Sequence, residues 1–297
     1  MAFFGRFETG YDKFLWKQVA DAGHYGIFFL ATAYLCLEGH VARWKTEKVV
    51  LFAGALGIGL ATAVELIQPY FDRSASGVDL INGIMAVLTV IWGYTRFARH
   101  PRLSAFAAPL GVAVLLQLFA LLPAWQATAA IRWRLERFPV IAEFDSLEEH
   151  YLWEPMRSDR NKTPAAVALT TELGSTAQTA LKVVTVPGTW SGVRYAAGGL
   201  SWSGHRTLRI RLYNPSDEIL PLAFRVDDEL PRDEYEDRFT KSLDVAPGLN
   251  DFVLPLAEIE RAPNGRTLNL GNVVFVYFFV NKSSPSRTFY IDHLGLE

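Results

Sequence analysis

Four uncharged stretches, Ala22 to Leu37, Val49 to Val64, Leu80 to Thr95 and Leu103 to Ile131, constrain this chain more than any other feature. Each is a candidate membrane span. A helix crossing a hydrocarbon layer of about 30 Å needs about 20 residues, so the first three must draw in polar residues at their ends. A buried soluble helical core is the alternative. Short charged loops between the stretches and little amphipathic alternation within them favour the bilayer. Ahead of the first stretch, Phe3, Phe4, Phe7, Tyr11, Phe14, Leu15 and Trp16 are mixed with Arg6, Lys13 and Lys17. That mixture predicts an interfacial helix over residues 1–21. The pattern of a cleavable signal peptide is not visible, so the first span is expected to stay in the mature protein.

Half of the 297 residues are hydrophobic, 20% are charged and the net charge is -2. Such a balance excludes a disordered chain and supplies no basic field for nucleic acid. The single cysteine, Cys36, excludes a disulfide scaffold and lies within an apolar run, where it reads as a packing residue. Charges are sparse and clustered up to about residue 131 and evenly spread from Glu143 onward, as expected of a chain that faces two solvents. The expected divisions are 22–131 for a four-helix transmembrane bundle, 132–140 for a juxtamembrane linker and 141–297 for an all-β domain.

Connectivity places the polar residues. Odd helices begin on the face where even helices end, so His24, Glu65 and Asp79 gather at one membrane face with Gln68, Arg73 and Asn82. Glu65 and Gln68 are three apart on one helical face, as are Asp79 and Asn82, and both pairs can point into the bundle. The loops carrying Arg43, Lys45, Lys48 and Arg96, Arg99, Arg102 lie at the other face. Their count of Lys and Arg does not fix the orientation; placing them in the cytoplasm puts the carboxy-terminal domain outside. The cluster has two readings. One is a structural network, in which Ser76 and Asp79 form a capping box and Arg73 neutralises Glu65 or Asp79. The other is a site for a polar headgroup, because intramembrane carboxylates are costly to keep for packing alone.

Glu65-Leu66-Ile67-Gln68, then Arg73, Ser76, Asp79 and Asn82-Gly83, together with His24 at the head of a span, resemble the signature of VanZ-like membrane proteins. The resemblance covers roughly residues 12 to 100 and implies a cell-envelope role. His-Glu-x-x-His zinc spacing, a nucleophile elbow and a phosphate loop are all missing from the sequence.

From Phe138 onward the period changes. Leu208, Ile210 and Leu212 alternate with Thr207, Arg209, Arg211 and Tyr213, and Leu222, Phe224 and Val226 alternate with Ala223, Arg225 and Asp227, which predicts half-buried strands. Further strands are expected at Ala166 to Thr171, Leu181 to Val186, Arg238 to Val245, Val273 to Val280 and Thr288 to Leu296. Gly188 to Gly199 reads as a Gly-rich loop. Val273 to Val280, apolar on both faces, suits a central strand of a sandwich.

Phe144-Asp145 in a first strand, Trp202-Ser203-Gly204, Asp237-Arg238-Phe239, Pro247-Gly248-Leu249-Asn250 and the closing Phe289-Tyr290-Ile291-Asp292 resemble the jelly-roll domains of carbohydrate-binding modules and related galactose-binding-like folds. The resemblance implies a glycan surface, although the same fold also serves for docking or spacing. Trp190 and Tyr195 are candidates to stack on a sugar ring, with ordinary loop packing as the alternative. Arg209, Arg211 and Arg225, if they share an outward face of adjacent strands, would suit an acidic glycan; a solvated strand face is the alternative. Asp145 and Asp292 match positions that help hold a structural calcium in some of these modules, but two carboxylates fall short of the required six to eight oxygens. No other cofactor is expected. Trp202 reads as core.

The expectation is a multi-pass protein of a bacterial inner membrane, with its sandwich extracytoplasmic and membrane lipids around its helices. It would recognise a polysaccharide or a lipid-linked saccharide as an accessory to envelope or exopolysaccharide synthesis, export or anchoring, alongside envelope biosynthesis proteins. Two other readings stay open: a membrane enzyme that modifies a lipid-linked saccharide through the polar cluster, and an assembly scaffold without a ligand.

Overall fold

The computed structural model describes residues 10–68, 77–156, 163–171, 179–188, 190–228, 237–281 and 285–297, and not the side chains of residues 10–14, 16, 17 and 103. The chain divides into a helical unit, Trp16–Trp125, and a β unit that contains Gln126–Glu297.

Four long helices form the first unit: α1 (Gly10–Val41), α2 (Thr46–Ile67), α3 (Gly77–Arg99) and α4 (Ala107–Arg137), the last continuing past the division. Among the described residues, three helices, Thr46–Ile67, Gly77–Arg99 and Ser104–Arg137, are long and apolar enough to cross a membrane. The first expected span lies in α1, which is not among those three; its uncharged part is short and carries His24, Thr32 and two tyrosines. Most of the interfacial segment expected over residues 1–21, including Phe3, Phe4 and Phe7, lies outside the described residues or side chains, as do Arg73 and Ser76.

Helix α2 turns one stripe inward. Its buried residues are Val49, Ala53, Gly57, Ala61 and Glu65, spaced four apart, while Leu51 and Leu66 stand exposed on the far side. Small residues let the helix backbones approach, which is how helices associate where lipid removes the hydrophobic drive. A Cβ on Gly57 would meet Thr32 Oγ1 and Val87 Cγ2 at 2.9 Å, and one on Gly83 would meet Phe28 and Ala61 at 3.0 and 3.1 Å. On α3 the corresponding stripe begins at Asp79 and runs through Gly83, Ala86, Val87 and Val90. Glu65 and Asp79 therefore occupy packing positions.

The β unit is a sandwich. Among the described residues its strands are β1 (Val140–Ala142), β2 (Trp153–Pro155), β3 (Ala166–Thr170), β4 (Ala180–Val184), β5 (Ser191–Leu200), β6 (Thr207–Asn214), β7 (Leu220–Asp228), β8 (Phe239–Val245), β9 (Gly248–Pro255), β10 (Val273–Val280) and β11 (Thr288–Leu296). One antiparallel sheet has the order β3-β4-β11-β6-β9, with β1 also on β11, and the other has the order β2-β5-β10-β7-β8. The chain changes sheet at nearly every connection, as in a jelly roll. Among the described residues two short α-helices, α5 (Leu147–His150) and α6 (Leu256–Arg261), follow β1 and β9 in the chain.

The core lies between the sheets, with Trp202, Phe224, Phe278 and Phe289 fully buried in it. The end of α4 joins that core: Ala130 is buried within it, and the buried Arg134 donates from Nη1 to the carbonyl of Ala196. Two local expectations need correction. Residues 191–200 form the ten-residue strand β5 rather than a glycine-rich loop, the positive φ of Gly198 and Gly199 coinciding with a register shift against β10. Phe144 and Asp145 follow β1 instead of forming it, and Phe144 has φ 61°.

That bend is held by Glu149 on α5, whose Oε2 accepts the N–H groups of Glu143 and Phe144, both at 2.8 Å. Burial pushes the Glu149 carboxyl up to about 7, with the Asp145 charge adding to the rise and the two N–H bonds opposing it. Folding therefore takes up a proton between the ordinary carboxylate range and pH 7, and this contribution to stability, full at low pH, fades as pH rises through about 7. The half-buried His150 and His293, held below the ordinary histidine range chiefly by partial burial, act in the opposite direction at mildly acidic pH. The difference between wild type and Glu149→Gln isolates the carboxyl. Wild-type Tm, measured from pH 5 to 8, is expected to fall relative to the variant, and parallel profiles would contradict the assignment.

Candidate functional site

Two places in the molecule gather chemistry, one in each unit. In the helical unit, α1 brings Asp21 and His24 to the end of the bundle where α2 finishes and α3 starts. Gln68 Nε2 lies 3.2 Å from His24 Nε2 and donates to Glu65 Oε1 at 3.2 Å. His24 Nδ1 lies 3.2 Å from the carbonyl of Asp21. These contacts make Nδ1 the protonated nitrogen and Nε2 an acceptor. Glu65 Oε1 is 4.0 Å from His24 Nε2. One ligand atom each of Asp21, His24 and Asp79 lie within 4.8 Å of one another.

His24, Glu65, Gln68 and Asp79 are all buried. Asn82 is half-buried and makes no side-chain hydrogen bond among the described residues. Asp21 joins the candidates read from the sequence. The signal was available: it sits three residues before His24, on the same helical face.

In the β unit, the outward face of the five-stranded sheet carries a row of rings. Phe275, Tyr277 and Phe279 alternate on β10 with the core residues Val276 and Phe278; Phe275 and Tyr277 are half-buried and Phe279 is 4% exposed. Register sets Arg194 of β5 and Arg225 of β7 on either side of Tyr277. The Arg225 guanidinium lies 4.7 Å from the Tyr277 ring centroid and that of Arg194 lies 4.8 Å from Phe275. Each guanidinium is fixed by a carboxylate. Arg194 Nε donates to Glu154 at 2.8 Å, and Arg225 Nε donates to Asp227 at 2.6 Å, with a second bond from each arginine to the same partner.

Trp190 extends the row. It stacks on Phe279 at a centroid distance of 5.6 Å and an interplanar angle of 10°, and is 38% exposed. The four residue steps from Phe275 to Phe279 cover roughly 13 Å. Burial pushes the Tyr277 phenol up to about 12, Asp227 adding to the shift and the arginines opposing it, so the hydroxyl remains a neutral donor. With both arginines paired, the strip offers planar surfaces and N–H donors and little net charge.

The other candidates lie elsewhere. Tyr195 is 1% exposed and packs in the core against Trp153, so its ring presents no face to a ligand. Arg209, Arg211 and Arg225 do not share a face: β6 belongs to one sheet and β7 to the other. Alternation fixes which side of a strand a residue occupies, but not which sheet the strand joins. Arg209 lies 3.6 Å from Asp251 and 3.3 Å from Glu297, and Arg211 lies 3.1 Å from Asp251 and 3.6 Å from Asp292. Asp145 pairs with Arg137 at 3.1 Å. Asp145 and Asp292 thus each face a guanidinium, which does not fit a calcium donor set.

No family model matches the chain, and no curated relative matches it. Among solved structures, the chain is similar to the family 11 carbohydrate-binding module from Clostridium thermocellum in complex with a beta-1,3-1,4-mixed-linked tetrasaccharide. That likeness has 15% identity and a TM-score of 0.41 over 53% of this chain and 93% of the module. An exo-beta-agarase is similar at 14% identity and a TM-score of 0.38, over 49% of this chain and 24% of the enzyme. An arabinose-bound α-L-arabinofuranosidase is similar at 11% identity and a TM-score of 0.36, over 51% of this chain and 24% of the enzyme.

Proposed function

We propose that the β-sandwich recognises an extended, neutral glycan along the β10 strip, and that the helices hold this domain at a membrane. The observation that carries the reading is Trp190, 38% exposed and stacked on the buried Phe279, with the guanidiniums of Arg194 and Arg225 held over the Phe275 and Tyr277 rings. Trp190 supplies an apolar face for sugar C–H groups, and the fixed guanidinium N–H groups supply donors for hydroxyls. Paired arginines favour a neutral chain over an acidic one, since Glu154 and Asp227 already occupy them.

In this reading the sandwich is extracytoplasmic, the helical unit is VanZ-like, and the protein is an accessory to envelope or exopolysaccharide synthesis, export or anchoring. The meeting of His24, Glu65, Gln68 and Asp79 supports a second reading, in which a lipid-linked saccharide is bound or modified at the end of the bundle. There a carboxylate or His24 would serve as general base.

The test is a panel of neutral and acidic polysaccharides presented to the full chain in detergent. Binding to a neutral polymer is expected. Trp190→Ala should weaken it about 2- to 10-fold, corresponding to about 0.5–1.5 kcal/mol for one stacked ring, without lowering Tm. Binding only to acidic polymers would overturn the neutral assignment, and binding to none would leave a docking or spacing domain.

A further inference from the structure

We propose that Asp21, His24 and Asp79, with Gln68 as a fourth donor, form a binding site for a divalent transition-metal ion of the Zn2+ or Mn2+ class. The site lies wholly within the helical unit and stands whether or not the sandwich binds a glycan. Two independent observations point to it.

The first is convergence. Asp21 and His24 lie three apart on α1 and meet Asp79, in the first turn of α3, with their ligand atoms within 4.8 Å of one another. Tetrahedral zinc with bonds of about 2.0–2.2 Å sets its ligands roughly 3.4 Å apart, so side-chain movements of about 1 Å close the set. Each carboxylate also has a further interaction of its own, so the ion would join an existing polar network.

The second observation is Gln68. It is 7% exposed, and its Oε1 has no hydrogen-bond partner although the amide sits between His24 and Glu65. A buried carbonyl left without a partner is costly. Half a turn about the last side-chain bond exchanges Oε1 with Nε2, which lies 3.2 Å from His24 Nε2. The same turn gives up the Nε2 bond to Glu65 Oε1 and sets three acceptors, Gln68 Oε1, His24 Nε2 and Glu65 Oε1, against one another, an arrangement that a cation among them stabilises. Glu65 Oε1, 4.0 Å from the same ring nitrogen, adds negative charge beside it. Imidazole combined with carboxylate and amide oxygen, without thiolate, selects Zn2+ or Mn2+ over Ca2+ or Mg2+.

The experiment uses the full chain purified in detergent, loaded with Zn2+ or Mn2+ and desalted. Metal content is read by mass spectrometry and affinity by competition with a chromophoric chelator. About one ion per chain is expected in the wild type. His24→Gln and Asp79→Asn should lose it, and Gln68→Leu should weaken it about 10- to 100-fold, the range for a supporting partner of a metal site. Glu38→Gln, near the other end of α1, should bind as the wild type does. A monodisperse wild-type protein that holds neither ion would overturn the proposal, as would retention of the ion by both His24→Gln and Asp79→Asn. The wild-type measurement alone decides the matter if the variants fail to fold.

Discussion

Arg266→Ala is expected to destabilise the β unit by about 3–5 kcal/mol, as when one partner of a buried ion network is removed. Arg266 follows α6 and joins Asp228, at the end of β7, to Asp237, just before β8. Its Nη2 donates to Asp228 Oδ1 and to the Asp237 carbonyl, both at 2.9 Å, and its Nε donates to the Asp237 carboxylate. The Asp228 side chain is 1% exposed and that of Asp237 is 9% exposed. Asp228 also accepts the N–H of Asn269 at 2.7 Å, so it cannot turn away without losing a second bond. Without the guanidinium, two buried carboxylates stand side by side with their main countercharge gone. Thermal unfolding should show a fall in Tm of roughly 6–20 °C for a domain of this size. Asp228→Asn combined with Arg266→Ala should cost less than the sum of the two changes, because the residues act as one network. A loss below about 1 kcal/mol, the level of an exposed surface pair, would contradict this account.

A comparable effect is expected at Gly192, for a steric reason. A Cβ there would lie 2.0 Å from the Phe278 carbonyl oxygen and 2.5 Å from the Phe279 Cα. Both obstacles are backbone atoms of the paired strand β10, so no rotamer change relieves the clash. Gly192→Ala must push β5 from β10 at the centre of the sheet and should cost more than the about 1–3 kcal/mol of ordinary overpacking. Gly204 provides the contrast. Its φ is +92° and nothing lies within 4 Å of its Cβ position, so alanine there meets only backbone strain, about 1–2 kcal/mol. Denaturant midpoints of the two variants should rank Gly192→Ala well below Gly204→Ala. The reverse order would show that the strand has room to move.

Part of this architecture was legible because periodicity has a direct physical cause. The change from uncharged runs to alternating strands marks the change from helices to sandwich, and the inward stripe ending at Glu65 follows from its spacing along α2. Connectivity was enough to bring His24, Glu65 and Asp79 to one end of the bundle. Strand β5 was hidden because its glycines read as a loop, whereas Gly192 is there because the neighbouring backbone leaves no room for a side chain. The ring row was missed for a related reason. Val273 to Val280 was read as uniformly apolar, although Phe275, Tyr277 and Phe279 already alternate with smaller or core residues. Which arginines share a face depends on sheet assignment, a long-range property that alternation does not carry.

The glycan assignment is tested most directly by comparing the two sheet faces in one titration. The full chain in detergent is titrated with a neutral polysaccharide that it binds, in parallel with a Trp190→Ala, Tyr277→Ala double variant and an Arg209→Ala, Arg211→Ala double variant. Trp190 and Tyr277 belong to the ring row of one sheet, and Arg209 and Arg211 to β6 of the other. If the strip binds the chain of sugars, the ring variant loses at least about fivefold in affinity, the sum of two contributions of about 0.5–1.5 kcal/mol each, and the arginine variant binds as the wild type does. Undiminished binding by the ring variant, with binding lost in the arginine variant, would place the ligand on the opposite sheet and contradict the account.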